Sequence, residues 1–249
     1  AEIYADLGNH ERAMKHAELA LRHVVNQHDT NVFQQGFSAF YQLLQPFGHT
    51  QLAEKYLQQA IDVQAHFNDE GVLVVAELDL AQVLITQGNH QDSLDLLHGL
   101  MREELTLSEQ QQTQAMVAYN KYHLKDNIGA YTGSRPVIEA SDVSRLARLY
   151  AQSAFVLSAW QLERSDEARQ AMQHFAEWVN QDNANEMFLF LSVADQVADE
   201  LGLSQWSSTA RQQAKQDLIN KTSQIKNQTR PDQELLQSLD NYLHNIKAL

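Results

Sequence analysis

The chain has 249 residues, and its formal net charge of −14 disfavours attraction to nucleic-acid phosphates or to anionic membranes. It contains no cysteine, which excludes disulfides and cysteine-based metal or nucleophile chemistry and is compatible with a cytoplasmic location. Only nine glycines and three prolines are present, too few for the many turns of a β-rich fold. We therefore expect a mostly helical protein, with no direct nucleic-acid binding and no membrane association.

A glycine followed by two polar residues recurs every 40 residues, at Gly8, Gly48 and Gly88. Small and apolar residues follow each glycine at similar helical spacing, so the chain is predicted to be built from repeats. Glycine accepts the left-handed conformation that ends a helix, and each of the three is predicted to separate two helices of a pair. The predicted helices after Gly8 are 32–46, 50–66, 72–86 and 90–104.

The second half of the chain is predicted to continue this plan after one interruption. Ser108 is a candidate N-cap, with Gln111 three residues later, for a helix over 108–126. Residues 127–140 contain the densest group of turn-forming residues, so they are predicted to be an irregular linker and a hinge. Further helices are predicted over 141–163, capped by Ser141, from Ser165 onwards, over 184–201 and 204–220, and from Pro231 onwards. The resulting divisions are 1–126, 127–140 and 141–249.

The segment from Ile3 to Ala13, followed by Ala17 and Ala20, resembles the middle of a tetratricopeptide repeat (TPR). The resemblance implies an all-α, right-handed superhelix of antiparallel helix pairs, a TPR-like α-solenoid with about six pairs and a C-terminal capping helix. Family repeats usually have about 34 residues. Longer repeats of this type resemble those of bacterial signalling proteins, including sensor regions of transcription activators and regions attached to response regulators. Because residues 1–7 already fit a helix, we interpret the chain as part of a longer protein that begins inside a repeat.

The resemblance implies a non-catalytic module that binds a protein or peptide in regulation or signal transduction. Two alternatives stay open: a domain that senses a small ligand or signalling peptide, and a scaffold that forms homodimers through its terminal helix. No catalytic, cofactor or metal site is predicted. His16 has no ligating residue one helical turn later, and the glycines at 129–133 lack the lysine of a phosphate-binding loop.

Two groups of residues are candidates for partner binding. In the first group, basic residues cluster beside aromatic and amide side chains although the chain as a whole is acidic. Such a cluster can bind the carboxylates of a partner. The alternative is an ordinary solvated surface with local ion pairs. This group comprises Tyr119, Asn120, Lys121, Tyr122, Lys125, Arg145 and Arg148. The second group follows from the family's use of first helices to line its groove, and comprises Gln35, Ser38, Gln42, Leu78, Gln82 and Ile85. The three tryptophans, Trp160, Trp178 and Trp206, are predicted to fill gaps between helices, with one of them serving as an anchor for a partner.

Overall fold

The structure is a computed structural model that describes residues 4, 10–27, 50–67, 70–101, 104–179, 184–206, 208–228, 233–234, 237–238 and 240–241. The described residues form helices and no strand, which confirms the all-helical prediction. The chain divides into two compact units, residues 1–87 with 222–249 and residues 88–221. The predicted helix over 32–46 lies outside the described residues, as does most of the closing helix from Pro231.

The described residues of the first unit form three long helices, α1 (His10–Gln27), α2 (Thr50–Phe67) and α3 (Glu70–Gln87). Helix α1 buries Ala13 and Ala17 on one side, while Lys15 and His16 on the other are exposed. Helices α2 and α3 pack against each other, and the side chain of Gln87 donates a hydrogen bond to Glu54 at 2.8 Å. Amphipathic spacing explains how α1 and α2 bury one face, whereas α3 is apolar along most of its length and is buried on most sides between Val74 and Ile85.

The second unit contains three successive helix pairs after a single shorter helix. The shorter helix is α4 (His90–Leu100), and the pairs are α5 (Leu107–His123) with α6 (Asn127–Glu139), α7 (Arg145–Gln161) with α8 (Ser165–Trp178), and α9 (Ala184–Val197) with α10 (Ser208–Gln228). Helix α5 packs against α4, α6 and α7, and α7 packs in turn against α6, α8 and α9. The first helices of successive pairs are thus neighbours. Helix α10 begins in this unit and continues past residue 221.

Within the described residues, a residue with left-handed backbone conformation follows a helix at four turns. These residues are Gly88, Lys125, Glu163 and Gly202, with φ values of 81°, 72°, 61° and 68°, and they are 37, 38 and 39 residues apart. At the Lys125 turn, the amide of Asp126 donates to the Lys121 carbonyl at 2.8 Å, and the equivalent bond at the next turn joins Arg164 to Ala159 at 2.8 Å. Such bonds satisfy the last carbonyls of a helix. The repeat therefore continues through residues where no glycine marks it in the sequence.

The segment 127–140, predicted to be an irregular linker, is instead almost entirely helix α6. Asp126 caps the helix, since its Oδ1 accepts a hydrogen bond from the Gly129 amide at 2.9 Å. A Cβ atom on Gly133 would lie 3.5 Å from the Cβ of Ala118 on α5, and Ser134 is fully buried. The small residues thus allow α6 to pack closely on α5. This packing outweighs the turn-forming composition that suggested a linker.

Several predicted helix ends are also corrected. Helix α5 is capped by Thr106 instead of Ser108, because Thr106 and Glu109 form a reciprocal capping box in which the Thr106 amide donates to the Glu109 carboxylate at 2.8 Å. Helix α7 is capped by Ser144 instead of Ser141, with the Ala147 amide donating to the Ser144 hydroxyl at 3.2 Å. Three further ends differ from prediction: α4 ends at Leu100, α9 ends at Val197, and Ser204–Trp206 forms a 3-10 turn before α10.

Aromatic rings hold the later pairs of the second unit together. Phe175 of α8 and Phe190 of α9 are fully buried and meet edge to face, with ring centroids 5.1 Å apart. Trp178 stacks on Phe175 at 5.6 Å, and Trp206 meets Phe190 at 4.5 Å. Trp160 also packs against this core. The tryptophans therefore fill gaps between helices as predicted.

The side chain of Arg211 connects α10 to α9 and to the turn that follows α9. Arg211 of α10 is only 5% exposed, and its guanidinium reaches Asp195 at 3.1 Å and Asp199 at 2.6 Å. The hydrogen bond from Arg211 lowers the pKa of Asp199 below its ordinary value, with a further contribution from the Ser208 hydroxyl. This ion-pair cluster fixes the start of α10 against α9 and the turn that follows it.

The left-handed turns give a first testable prediction. Replacing Glu163 by glycine is expected to stabilise the protein by about 0.5–1 kcal/mol, because glycine removes the steric cost of a side chain at positive φ. Replacing Gly202 by alanine should destabilise it by about 1 kcal/mol, since nothing lies within 4 Å of the added Cβ and only backbone conformation is affected. Urea unfolding measures both changes. A Glu163→Gly variant less stable than wild type would contradict the prediction.

Candidate functional site

The basic candidates on α5 lie at its C-terminal end and in the turn to α6. Lys125 is exposed in its left-handed conformation, and Lys121 is one-third exposed, with its Nζ atom 4.0 Å from the Asp126 carboxylate. Two apolar side chains beside Lys125 are also exposed, Leu124 at 38% and Ile128 at 67%. We call Lys121, Leu124, Lys125 and Ile128 the turn surface. Sequence reasoning missed its apolar part, because it placed Ile128 in a linker.

The three residues next to these lysines lie inside the protein. Tyr119, Asn120 and Tyr122 are 8%, 0% and 7% exposed. The Asn120 amide donates to the Ser93 hydroxyl of α4 at 2.9 Å, and the Tyr122 hydroxyl donates to Gln196 of α9 at 2.9 Å. These contacts join α5 to helices on two sides. The structure therefore gives Tyr119, Asn120 and Tyr122 positioning contacts inside the second unit.

Two tyrosines on the adjoining faces of α5 and α7 form an edge-to-face pair. The rings of Tyr119 and Tyr150 are 5.2 Å apart. Burial raises the pKa of Tyr119 to about 12, with an added contribution from Tyr122. Burial also raises the pKa of Tyr150, and Tyr119 adds to the increase. Both hydroxyls are consequently neutral near pH 7, so this part of the unit offers hydrogen-bonding groups and no negative charge.

A pair of histidines lies beside this tyrosine cluster, and sequence reasoning did not identify it. The rings of His90 on α4 and His123 on α5 stack with centroids 4.1 Å apart and planes 5° from parallel. The Nε2 atom of His123 is buried without a hydrogen-bond partner. Burial, with smaller contributions from His90 and Lys125, lowers the pKa of His123 to about 4. The available signal was that both residues stand at helix ends beside a repeat turn.

Arg145 is held by the protein itself. Its Nε and terminal nitrogen bind the two carboxylate oxygens of Glu186 at 2.5 and 2.7 Å, and the Glu186 side chain is only 5% exposed. The guanidinium carbon lies 5.1 Å from the centre of the Trp178 ring. The hydrogen bond to Glu186 raises the pKa of Arg145. Arg148, one turn later, is partly buried and forms no ion pair in the described part of the chain.

The remaining candidates belong to the first unit. Leu78 and Ile85 on α3 are 3% and 8% exposed, and Gln82 is partly buried. Gln35, Ser38 and Gln42 lie outside the described residues. The polar side of α2 lines an open groove of about 480 Å³. Its lining residues are Gln51, Glu54, Lys55, Gln58, Gln59 and Asp62.

Within the described residues, no three histidine, aspartate or glutamate side chains converge as metal ligands. None of the described helices has the length and apolar character needed to cross a membrane. The chain matches no known protein-family model, and no curated protein or solved structure is significantly similar to it.

Proposed function

We propose that this chain is a TPR-like repeat module that binds a protein or peptide segment in regulation or signal transduction, as part of a larger bacterial protein. The support is the regular succession of helix pairs in residues 88–221. The first helices of successive pairs neighbour one another, and the turns share a residue with a left-handed backbone conformation. Stacked helix pairs present extended surfaces to which side chains of several repeats contribute. Such surfaces commonly bind helical or extended segments.

The turn surface is the best-supported contact point for the partner. Its lysines provide two positive charges beside the single Asp126 carboxylate, while Leu124 and Ile128 provide apolar area that water solvates poorly. An acidic segment with apolar side chains complements both properties. At moderate salt, electrostatic interactions between exposed charges are screened beyond about 10 Å. The local positive charge therefore determines the interaction at close contact, although the whole chain is negative. The observation that carries this proposal is the exposure of Lys125 between two exposed apolar side chains.

Charge reversal tests the proposal directly. Peptides selected from a random displayed library on the whole chain are expected to combine acidic and large apolar residues. Replacing Lys125 by glutamate should weaken their binding about tenfold, because reversal converts attraction into repulsion at the contact. Fluorescence anisotropy with a labelled selected peptide measures the dissociation constant.

The matched control is Lys15→Glu, which makes the same charge change on an exposed residue of α1. This variant should bind the selected peptides as tightly as wild type. Equal weakening by both variants would show that net charge alone governs binding. If the selected peptides bound wild type and Lys125→Glu equally, their contact site would lie outside the turn surface. Failure to select any peptide would favour a small-ligand sensor or a dimerisation scaffold.

A further inference from the structure

The stacked histidines connect the start of α4 to the end of α5. The Nδ1 atom of His90 lies 3.0 Å from the Oδ1 atom of Asn120. Asn120 is fully buried, and its Nδ2 group donates to Ser93, which leaves Oδ1 to accept from His90. His90 therefore carries its proton on Nδ1 in the neutral stack. Hydrogen bonds thus fix the His90 ring, and His123 is held against it by the ring stack.

The surroundings of His123 disfavour a positive charge. His90 faces it from α4, Lys125 lies in the adjoining turn, and the rings of Tyr119 and Tyr122 lie 4.6 and 5.3 Å away on α5. Tyr150 of α7 adds a further neutral phenol next to Tyr119. Among the described groups that act on His123, none is a carboxylate. A protonated His123 would also bury an Nε2–H donor without an acceptor.

We propose that His90 and His123 form a proton-operated latch, which holds α4 against the end of α5 when neutral and opens when mildly acidic conditions protonate it. A protonated His123 is repelled by Lys125 and lacks an acceptor for its buried Nε2–H, and separation of the helix ends gives the ring water as a hydrogen-bond partner. The helix end that is released is the one that precedes the turn surface. The latch is a property of the second unit and does not require that the turn surface bind a partner.

The direction of the pH effect follows from the sign of the shift. Folding lowers the pKa of His123 from its ordinary value of 6.5 to about 4, so the open or unfolded state takes up a proton more readily than the closed state. The stabilisation from the closed stack is fully present above pH 6.5. It is lost progressively as the pH falls from 6.5 towards 4.

Hydrogen exchange of the whole chain tests the latch. After correction for the intrinsic pH dependence of exchange, protection of α4 and of the C-terminal half of α5 should fall about tenfold between pH 7.5 and pH 5.0. Helix α8, which does not contact the histidine pair, should change much less. Unchanged protection of α4 and α5 at pH 5.0 would overturn the proposal.

Substitution separates the latch from general acid sensitivity. His123→Phe keeps an aromatic ring in the stack but cannot be protonated, so the pH-dependent loss of protection should disappear. His98→Gln, at an exposed position of α4, is the matched control and should retain the wild-type pH response. If His123→Phe loses protection at pH 5.0 as wild type does, the proposal fails.

A direct titration keeps the test decisive if the phenylalanine variant does not fold. The imidazole resonances of the wild-type chain can be followed by NMR from pH 8 to pH 4. His123 is expected to titrate below about pH 5 or to exchange with an opened form. A His123 that titrates at 6.5 or higher in the folded protein would overturn the latch, whatever the outcome of the peptide-binding experiment.

Discussion

Replacing Phe190 by alanine is expected to destabilise the second unit by about 3–5 kcal/mol, the range observed when a large aromatic side chain is removed from a close-packed core. Phe190 is fully buried and contacts Phe175 of α8 and Trp206 of the 3-10 turn. Its removal therefore affects three elements at once. All three tryptophans of the chain lie within residues 88–221, so urea unfolding followed by tryptophan fluorescence reports on this unit.

The same helix supplies the control for this experiment. Phe188 lies two residues earlier and is 42% exposed, so Phe188→Ala should cost less than about 1 kcal/mol. The comparison holds residue type, helix and chemical change constant and varies only burial. Similar losses of stability in the two variants would mean that the aromatic core described for α8 and α9 is incorrect.

Replacing Arg145 by alanine is expected to destabilise the protein by about 2–3 kcal/mol. The substitution leaves the Glu186 carboxylate, which is 5% exposed, without either of its hydrogen bonds from the guanidinium. Breaking a buried ion pair on one side is costly because the remaining charge loses the opposite charge while it is still largely shielded from water. The estimate is below the usual range for a fully buried pair because Arg145 itself is 53% exposed.

Two variants test whether this cost arises from the ion pair. Arg148→Ala, one turn further along α7, should change stability by less than about 1 kcal/mol, since Arg148 makes no ion pair in the described residues. The double variant Arg145→Ala with Glu186→Ala should be no less stable than Arg145→Ala alone, because it also removes the buried carboxylate that has lost the guanidinium. If Arg145→Ala unfolded at the wild-type urea concentration, Arg145 would instead be available to a partner, as its sequence context suggested.

Helix positions could be predicted well from the sequence where the apolar pattern agreed with local composition. The predicted helix over 50–66 is Thr50–Phe67, and that over 72–86 is Glu70–Gln87. Helix α6 was missed because its glycines and Pro136 are poor helix formers in isolation, whereas in the structure small residues allow close packing on Ala118. Helix propensity depends on residue type alone and carries no information about this tertiary contact. The cap of α5 was misplaced by two residues, although the Thr106–Glu109 capping box was present in the sequence.

The candidate site was predictable only in part, for a related reason. The clustering of Lys121 and Lys125 is a local property of one helix end and could be read directly. The burial of Asn120 depends on contact with α4, and the stack of His90 on His123 depends on how α4 packs on α5. A repeat period predicts which helices are neighbours, but it does not give the side-chain register between them.

The backbone at Lys125 also has a consequence for recognition. A lysine within or after a flexible loop loses conformational freedom when a partner captures it, and this entropy loss opposes association. At Lys125 the hydrogen bonds that close the α5–α6 turn fix the backbone before any encounter, at φ 72° and between two helices. Only the side-chain torsions remain to be ordered on contact. The free-energy cost of a positive φ at a non-glycine residue is therefore incurred during folding. As a result, the backbone that carries the Lys125 ammonium group is already ordered before a partner binds.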